Sequence, residues 1–399
     1  MNKKTVRDID VTRKRVLVRA DLNVPFAPDT TTITDDGRIR AALPTLHYLR
    51  ERGARIILCS HLGRPNGRVV DGLSLKPVAQ RLEQLLGQPV AFTRNCIGTE
   101  VEEAIAALNP GQLLLLENLR FHQEEEENDT AFARALASLA EVYVNDAFGT
   151  AHRVHASTEG VAHYMPAVAG LLMEQEIEML GRTLEHPRRP LCAVMGGAKV
   201  SDKLGVLEHL LPRVNGLLIG GGMAATFLRA IGHPVGASLL EKDKVDLAAG
   251  ILHQAKELGI SFGLPQDVVV AETFSAESPS KVVSVDQIPD GWHIMDIGPQ
   301  TVESFQERLR ECCTILWNGP LGVMEYKRFA EGTTAIANLL ANLTDATTII
   351  GGGSTAEAVA VMGLADRMTH VSTGGGASLE FLEGRELPGI AVLLDKEVA

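Results

Sequence analysis

The sequence predicts an α/β protein of two domains, each a parallel sheet flanked by helices, with a hinge helix joining them. Short apolar runs that end in glycine or polar residues alternate with amphipathic runs of helical length along the chain. Strands of this kind, apolar on both faces, are typical of parallel sheets covered on both sides by helices. The chain has 399 residues, which is the length of about two ordinary domains.

The elements follow one another as strand, loop and helix. The predicted helices of the first half are LHYLRERG (46–53), VAQRLEQLLG (78–87) and FARALASLA (132–140). The predicted strands with their loops are RVLVRADLNVP (15–25), ARIILCSHLGRP (54–65), QLLLLENLRF (112–121), EVYVNDAFG (141–149), LCAVMGGAK (191–199), GLLIGGGMA (216–224), TILWNGPLG (314–322), TTIIGGGST (347–355) and THVSTGGGA (369–377).

A helix between the two domains is predicted where this alternation pauses. LMEQEIEMLGRTLE (172–185) is amphipathic, and the HPRRP that follows it ends a helix because proline blocks its continuation. We therefore expect a first domain at 1–172, a linker helix at 173–188 and a second domain at 189–385.

The composition narrows the classes of function. A net charge of −12 argues against nucleic acid or an acidic membrane surface as a partner. Five cysteines at irregular spacing, without a CxxC pair, indicate reduced cytosolic thiols rather than a disulfide framework or a zinc site. The N-terminus lacks the apolar core of a signal peptide and no window approaches a membrane span, so we expect a cytoplasmic protein.

Arginine is concentrated in the first domain. Residues 1–185 hold 17 of the 26 arginines but only 4 of the 12 lysines. Arginine grips phosphate and carboxylate through paired hydrogen bonds, and parallel sheets bind ligands at the carboxyl ends of their strands. We expect the arginines and histidine there to hold a small, doubly anionic molecule, and the aspartate and asparagine to orient its hydroxyl. These candidates are Asp21, Asn23, Arg38, His61, Arg64, Arg120 and Arg153.

Two other features of the first domain have competing interpretations. Asp146, His152 and His155 are residue types that bind metals. A basic wall around the anion accounts for them as well, and no further ligand cluster supports a metal. The acidic run Glu124–Glu127 is expected to be a solvated loop.

The second domain is predicted to bind a nucleotide because its strand ends are rich in glycine. In VMGGAKVSDK (194–203) the two glycines would let backbone amides approach a phosphate, and Ser201 or Asp202 would cap the next helix. Lys199 and Lys203, four residues apart, would both reach a polyphosphate. The chain has no GxxxxGK[ST] loop and no GxGxxG with a downstream acid, so neither a Walker loop nor a dinucleotide site is indicated.

Four more glycine-rich or acidic features point the same way. IGGGMA (219–224) offers a wall without side chains that suits a purine, and Glu325 in WNGPLGVME is an acceptor for ribose hydroxyls. GGGST (351–355) and STGGGAS (372–378) place bare amides at predicted helix N-termini. An anion-binding domain joined to a nucleotide-binding domain suits phosphoryl transfer, with the hinge as the closing device.

These motifs together resemble the phosphoglycerate kinase family. The resemblance covers essentially the whole chain in the family's order. It rests on RADLNVP, DDGRIRAALPTL, SHLGRP, LLENLRFHQEEEEND, NDAFGTAHRVHAS, GGAKVSDK, WNGPLGVME and STGGGASLEFLEG.

The resemblance implies a cytosolic monomer of two Rossmann-like domains that close over their substrates. Its expected reaction is reversible phosphoryl transfer from 1,3-bisphosphoglycerate to ADP, giving 3-phosphoglycerate and ATP with Mg²⁺. The tail, 386–399, would pack back on the first domain. Binding of 3-phosphoglycerate would fall to Asp21, Asn23, Arg38, His61, Leu62, Gly63, Arg64, Arg120 and Arg153.

The resemblance also assigns catalytic and nucleotide-binding residues. Arg38 and Lys199 would flank the transferring phosphoryl group, and the amides of Gly374 and Gly375 would neutralise charge in the transition state. The residues expected at the nucleotide are Lys203, Gly220, Gly221, Glu325, Gly351, Gly352, Gly353 and Ser354.

Two positions depart from the family pattern, and one of them is Ile294 in WHIMDIGP (292–299), where the family often has a glycine. Ser354 stands where the family commonly has an aspartate that contacts the nucleotide-bound Mg²⁺, and a hydroxyl is a weaker ligand for that ion. Three interpretations compete. The metal rests mainly on phosphate oxygens and water while Ser354 touches phosphate, or Glu357 supplies a carboxylate through water, or the enzyme is impaired.

Three other classes of protein would each require different features in the sequence. An NAD-dependent dehydrogenase would need a dinucleotide fingerprint in the first strand-to-helix corner, and RADLNVP is not one. A two-domain binding protein would normally carry an export signal and would not need Lys199. A catalytically impaired relative would keep all the motifs, so only an assay excludes it.

Overall fold

The computed structural model describes residues 2–28 and 31–396. The chain divides into two compact units. Unit 1 contains the residues up to Glu178 together with the segment from Glu386 onwards, and unit 2 contains Met179–Arg385. Both units are built on a parallel sheet flanked by helices, so the predicted fold class is confirmed.

Unit 1 has a six-stranded sheet in which every strand pair is parallel. Its order is β3-β4-β2-β1-β5-β6. The strands are β1 (Arg15–Ala20), β2 (Arg55–Cys59), β3 (Val90–Phe92), β4 (Leu113–Leu115), β5 (Val142–Asp146) and β6 (Ala167–Ala169). The helices are α1 (Gly37–Glu51), α2 (Lys76–Leu86), α3 (Thr99–Ala106), α4 (Gln123–Glu126), α5 (Thr130–Ser138) and α6 (Leu171–Glu185), the last running on into unit 2.

Burial on both faces explains why these strands are continuously apolar. In β1, Val16 and Val18 face a core that also contains Leu46 of α1 and Leu82 of α2. Leu17, between them, is fully buried on the opposite face of the sheet. A strand with one solvated face would alternate apolar and polar residues instead.

Unit 2 contains a second parallel six-stranded sheet, ordered β15-β14-β13-β7-β8-β9. The strands are β7 (Leu191–Met195), β8 (Gly216–Ile219), β9 (Ser261–Gly263), β10 (Asp267–Ala271), β11 (Ser280–Ser284), β12 (His293–Ile297), β13 (Thr314–Asn318), β14 (Thr347–Gly351) and β15 (His370–Val371). The helices are α7 (Leu204–Leu210), α8 (Ala224–Ala230), α9 (Val245–Glu257), α10 (Pro299–Arg310), α11 (Glu331–Asn342), α12 (Gly353–Val361) and α13 (Gly376–Leu382).

Each six-stranded sheet reverses its winding at a central strand. The chain enters at β1 or β7, and later strands are added on both sides of it. Ligands of open α/β sheets bind at such reversals, at the carboxyl ends of the strands. In both units this edge is where the candidate residues lie.

The segment after Glu386 is part of unit 1. It contains a short helix, α14 (Pro388–Ala391), and it adds backbone hydrogen bonds beside β6. Leu394 N–H donates to Ala167 O at 3.0 Å, and Lys4 N–H donates to Leu394 O at 2.7 Å. The buried Asn145 side chain of β5 donates to Gly389 O at 2.9 Å.

Some of the sequence predictions of local structure were wrong. Strands β10, β11 and β12 form an antiparallel sheet that we did not predict. Helix α1 begins at Gly37, nine residues before the predicted helix, so Arg38 lies in its first turn rather than in a loop. The sequence interpretation missed this start because α1 contains Pro44, and proline usually marks a helix boundary.

The predicted cap of α7 was also wrong. The helix begins at Leu204 and has no side-chain cap. Ser201 instead donates to Glu241, and its amide donates to the same carboxylate. Lys199 and Lys203 therefore do not share a helix face, because the residues between them are not helical.

Among the described residues, no helix is both long and apolar enough to cross a membrane.

Asp146 provides a pH-dependent test of the junction between β5 and α6. Its Oδ1 accepts hydrogen bonds from the first amides of α6, Leu172 at 2.9 Å and Met173 at 3.2 Å. Burial raises the pKa of Asp146 from 3.8 to about 6. A raised pKa in the folded state gives stability that is complete below pH 3.8 and is lost as the pH rises through about 6.

We expect Asp146→Asn, which keeps an acceptor oxygen for these amides, to abolish this dependence. The free energy of unfolding of the wild type minus that of the variant should fall by about 1 kcal/mol between pH 5 and pH 8. Native-state hydrogen exchange of the β5 amides at the two pH values measures it. A difference that stays constant or rises with pH would contradict the assignment.

Candidate functional site

The sequence-predicted residues of unit 1 come together where the strands of its sheet end. Asp21 and Asn23 directly follow β1, His61 follows β2, and Arg120 lies in a short turn after β4. Arg38 approaches from the first turn of α1. Its Nη1 donates to Asp21 Oδ2 at 2.6 Å, and the Asp21 side chain is only 11% exposed.

The loop at Gly63 is held by two of the predicted residues. Asn23 Oδ1 accepts from Gly63 N–H at 2.9 Å, and Arg120 Nη1 donates to Gly63 O at 2.8 Å. Gly63 has φ +60°, and a Cβ there would lie 2.7 Å from Leu73, so the loop requires glycine. The buried Asn118 accepts from Leu62 N–H and donates to Leu62 O.

His61 is paired with a residue that sequence reasoning missed. Arg19, in β1, is 1% exposed, and its Nη2 contacts His61 Nδ1 at 3.2 Å. A guanidinium only donates, so Nδ1 must accept and the imidazole proton lies on Nε2. Burial lowers the pKa of His61 well below its usual 6.5, and Arg19, Arg120, Arg38 and Arg153 lower it further. His61 is therefore neutral and has one N–H to offer.

The same electrostatics act on His155. Burial and the neighbouring arginines lower the pKa of His155 to about 3, so its imidazole is neutral as well. Four arginines with two neutral histidines make a site for an anion, since guanidinium groups stay charged at any ordinary pH. Arg64 follows Gly63 with an exposed side chain and makes none of the hydrogen bonds described above.

The alternative interpretation of Asp146, His152 and His155 as a metal site is not supported. Asp146 caps α6, as described above. Within residues 2–28 and 31–396, no group of three or more His, Cys, Asp or Glu side chains is arranged to hold a metal ion.

The glycine-rich loops of unit 2 pack backbone against backbone. A Cβ on Gly196 would lie 2.1 Å from Pro320 O, and one on Gly221 would lie 2.7 Å from Gly197 N. The amide of Gly196 donates to Asn318 O, and that of Gly197 donates to Pro320 O. The amides of these two glycines therefore already have protein partners.

The amides of the next glycine loop are used in the same way. Gly220 N–H donates to Met195 O and Gly221 N–H donates to Leu321 O, each at 2.9 Å. The amides of Gly220 and Gly221 therefore bind the end of β7 and the loop after β13, and a purine would meet the carbon atoms or the carbonyl oxygens of these glycines.

Lys203 and Asn318 form the polar centre of the unit 2 site. The Lys203 ammonium contacts Asn318 Oδ1. Burial lowers the pKa of Lys203 to about 8, although Asp202 and Glu383 raise it. Asn318 Nδ2 is buried and has no hydrogen-bond partner in the described protein. An ammonium beside an unpaired buried amide donor is suited to phosphate oxygens.

The GGGST stretch surrounds this pair. Gly351 ends β14, and a Cβ on Gly352, which has φ +81°, would lie 2.9 Å from Asn318 Oδ1. Gly353 begins α12, and its N-cap, Gly352, has no side-chain cap, which leaves bare amides as predicted. Thr355 is buried and accepts from Gly319 N–H at 2.7 Å, which ties α12 to the loop after β13.

Ser354 and Glu357 are exposed and lie one turn apart on α12. One hydroxyl and one carboxylate are too few to build a cage for Mg²⁺, which takes six oxygen ligands. They do fit an ion that keeps most of its ligands from nucleotide phosphates and water, since Mg²⁺ commonly binds in that way.

The other candidates of unit 2 are less closely connected. Lys199 and Glu325 are exposed. The Gly374 amide donates to Ser372 Oγ at 3.1 Å, so of the two predicted amides this one has a protein partner. Gly375, with φ +51°, is the N-cap of α13.

Sequence reasoning missed four residues of these sites: Arg19, Asn118, Asn318 and Thr355. Each lies in or beside a motif that was recognised, and Arg19, Asn118 and Thr355 hydrogen-bond to other protein groups. Asn318 had the clearest signal, since a polar residue at the end of the buried strand TILWN is rarely there for packing.

Comparisons with known proteins give one consistent result. The family model described as phosphoglycerate kinase matches residues 6–385. A phosphoglycerate kinase of Moorella thermoacetica is 56% identical over 99% of this chain and 100% of its own length. One from Microcystis aeruginosa is 56% identical over 98% of this chain and 99% of its own.

Solved structures agree with this result. A phosphoglycerate kinase of Coxiella burnetii has a TM-score of 0.88 and 43% identity, covering 98% of both chains. One from Pyrococcus horikoshii has a TM-score of 0.82 and 33% identity, with the same coverage.

The lowered pKa of Lys203 predicts a pH dependence of nucleotide binding. With a pKa of about 8 in the free protein, the ammonium loses its charge between pH 7.5 and pH 9. We expect ADP without Mg²⁺ to bind about tenfold more weakly at pH 9 than at pH 7.5, because the Lys203 amine must take up a proton before it can pair with the phosphates. Titration calorimetry of the wild type and Lys203→Arg measures this. A slope that survives in the arginine variant would rule out Lys203 as its source.

Proposed function

The chain belongs to the phosphoglycerate kinase family, and from that premise we propose how its two units divide the reaction. The reaction itself is reversible phosphoryl transfer between 1,3-bisphosphoglycerate and ADP, giving 3-phosphoglycerate and ATP. The chain is thus a nucleotide-using phosphotransferase with a carboxyl acceptor. Unit 1 binds 3-phosphoglycerate and unit 2 binds the nucleotide.

The arginine cluster of unit 1 is the observation that carries this division. Substrate with a phosphate and a carboxylate brings several negative charges, and Arg19, Arg38, Arg120 and Arg153 surround the two neutral histidines. Asp21 and Asn23 are occupied by Arg38 and the Gly63 amide. Their remaining lone pairs are the acceptors for the substrate hydroxyl, and Arg64 adds a charge from the exposed side of the loop.

Nucleotide phosphates are assigned to Lys203, the unpaired Asn318 amide and the first amides of α12. The wall of Gly220 and Gly221 receives the base, and Glu325 receives the ribose. Support for the phosphate assignment comes from the buried Asn318 Nδ2, which has no hydrogen-bond partner among the residues that the structure describes. A ligand acceptor would remove that cost.

Phosphoryl transfer from an acyl phosphate needs alignment and positive charge more than it needs a nucleophile on the enzyme. Arg38 and Lys199 supply that charge to the equatorial oxygens, and the Gly375 amide adds a hydrogen bond. When substrate binds, Arg38 would exchange its hydrogen bond to Asp21 for one to the substrate. Its guanidinium would therefore have an anionic partner both before and after binding. No covalent intermediate and no strong general base are required.

Mg²⁺, when bound with the nucleotide, supplies further charge neutralisation at the phosphates. Ser354 and Glu357 are the residues of α12 that would hold it, Ser354 directly or through phosphate and Glu357 through water.

We also propose that the enzyme is a cytoplasmic monomer without nucleic-acid or membrane partners. The resemblance to the family supports this, as does the net charge of −12.

Arg38 gives the sharpest test of the catalytic assignment. We expect Arg38→Ala to lower kcat by about 10²–10³-fold, because it removes charge stabilisation from the transition state. Arg40→Ala, on the same helix and paired with Asp36, is the matched control and should change kcat less than about twofold. A coupled assay of ATP consumption with 3-phosphoglycerate measures both. Equal effects of the two substitutions would refute the role of Arg38.

Ser354 and Glu357 are tested in the same assay by titrating Mg²⁺. We expect robust wild-type turnover, and we expect Ser354→Asp to lower the Mg²⁺ concentration for half-maximal rate by a few-fold, since a carboxylate is the better ligand. Glu357→Ala should raise that concentration. If Glu357→Ala leaves the Mg²⁺ dependence unchanged, the water-mediated role of Glu357 is wrong. Near-zero wild-type turnover rescued by Ser354→Asp would identify an impaired enzyme.

A further inference from the structure

Glu125 is a buried carboxylate that has no role in the sequence motifs or in the proposed mechanism. The run Glu124–Glu127 was expected to be a solvated loop, and for Glu125 this was wrong, because the residue is 0% exposed. A buried carboxylate is costly unless charge and hydrogen bonds compensate it. Glu124, its neighbour on the same short helix, is exposed.

Both oxygens of Glu125 are bound by Ser157. The Ser157 amide donates to Oε2 at 2.9 Å, and the Ser157 hydroxyl donates to Oε1 at 2.6 Å. Burial raises the pKa of Glu125, while the Arg19 charge and the bonds from Ser157 oppose that rise. The His155 ring lies 3.9 Å from Oε1.

Hydrogen-bond directions can be followed from Glu125 to His61. The Ser157 hydroxyl has one proton, which goes to Glu125, so Oγ accepts from Arg19 Nε at 2.9 Å. Arg19 Nη1 donates to Ala20 O at 2.5 Å, and Nη2 donates to His61 Nδ1 at 3.2 Å. Arg19 donates at both of its contacts because a guanidinium has no acceptor, so His61 Nδ1 accepts and the proton of His61 lies on Nε2.

We propose that Glu125 is a positioning residue of the 3-phosphoglycerate site, acting through Ser157 to orient Arg19 and through Arg19 to select the His61 tautomer. This inference rests on the proposed function of unit 1. Glu125 touches no substrate. Its carboxylate holds the proton of Ser157 away from Arg19, which keeps the guanidinium against His61 and leaves Nε2–H available to the anion.

A structural role alone would have a different signature. Glu125 O also accepts from Ala156 N–H at 3.0 Å, so α4 is tied to the segment around Ser157 through the backbone as well. If the carboxylate only fastened these segments, its loss would lower stability without selecting between the two substrates. The proposal requires selectivity.

The first test compares Glu125→Gln and Ser157→Ala with Glu124→Gln as the matched control. The contacts from Glu125 through Ser157 and Arg19 to His61 form a hydrogen-bond relay. A glutamine amide would donate to Ser157 Oγ, which reverses the first bond of this relay and leaves the Ser157 proton free to face Arg19. Ser157→Ala removes the relay and leaves Glu125 in place. We expect each to raise KM for 3-phosphoglycerate about tenfold and to change KM for ATP less than about twofold. Glu124→Gln should change neither.

The double variant decides whether the two residues act in one relay. We expect Glu125→Gln with Ser157→Ala to raise KM for 3-phosphoglycerate no more than about twofold beyond the worse single variant. Effects that multiply would overturn the relay. So would equal rises in both KM values, or no rise in either single variant.

Nitrogen NMR of His61 supplies a readout that reduced stability would not change. We expect a single Nε2–H tautomer in the wild type at every pH from 6 to 8. In both variants we expect a mixture of the two neutral tautomers, because Arg19 no longer holds Nδ1. Melting temperatures identify variants that fail to fold, and Ser157→Ala, which keeps the buried charge balance, is the variant on which the result then rests. An unchanged wild-type tautomer in a folded Ser157→Ala would overturn the proposal.

Calorimetry of the wild type with 3-phosphoglycerate alone separates this inference from its premise. Absence of binding, or binding unaffected by Arg120→Ala, would overturn the proposed site and the inference with it. Binding that depends on Arg120 but not on Glu125 or Ser157 would overturn the inference alone.

Discussion

The hydrogen bonds that build the unit 1 site join segments that leave parallel strands at the same edge of one sheet. Asp21 follows β1, Gly63 follows β2 and Arg120 follows β4, and these three strands are close neighbours. Parallel strands place their carboxyl ends together, so Asp21 and Arg120, 99 positions apart in the sequence, belong to one site without a long loop. Unit 2 repeats the constraint, since Lys203 follows β7, Asn318 is the last residue of β13 and the GGGST loop begins at the last residue of β14.

The second constraint is the balance of charge beneath the unit 1 site. The positive charges of clustered arginines repel one another, and two features of the protein limit this repulsion. The protein keeps His61 and His155 neutral, so they add no charge. It also places acidic partners on individual arginines, with Asp21 on Arg38 and Glu126 at 3.2 Å from Arg120. The arginine cluster therefore attracts an anion, and its charges do not destabilise unit 1 when no anion is bound.

Much of this could be predicted from the sequence, because alternating apolar runs and helices determine the two parallel sheets and the edge where ligands bind. Asp21, Asn23, His61 and Arg120 could be named because polar residues at strand ends stand out, whereas Gly63 was named only through the family resemblance. Arg19 could not, because the sequence does not show that its hydrogen-bond partners, Ser157 and His61, lie beside it. Glu125 was misread for a related reason: an acidic run looks solvated, and only tertiary packing shows which member turns inwards.

The glycine loops show the same limit in unit 2. The sequence shows that Gly196 and Gly221 are needed, but it does not distinguish amides that bind a phosphate from amides that bind another loop. Close approach of the two backbones explains both glycines. The amides of α12 remain for the nucleotide, together with Lys203 and Asn318, and they adjoin the one position at which this chain departs from its family's aspartate.

The division of substrates between the two units is tested most directly by NMR titration of the labelled wild-type chain with each substrate separately. With 3-phosphoglycerate alone, we expect chemical-shift changes at Arg19, His61 and Arg120 and none around Lys203. With ADP alone, we expect chemical-shift changes at Lys203, Asn318 and Gly353 and none around His61. Shifts produced by 3-phosphoglycerate in unit 2, or by ADP in the arginine cluster, would contradict it.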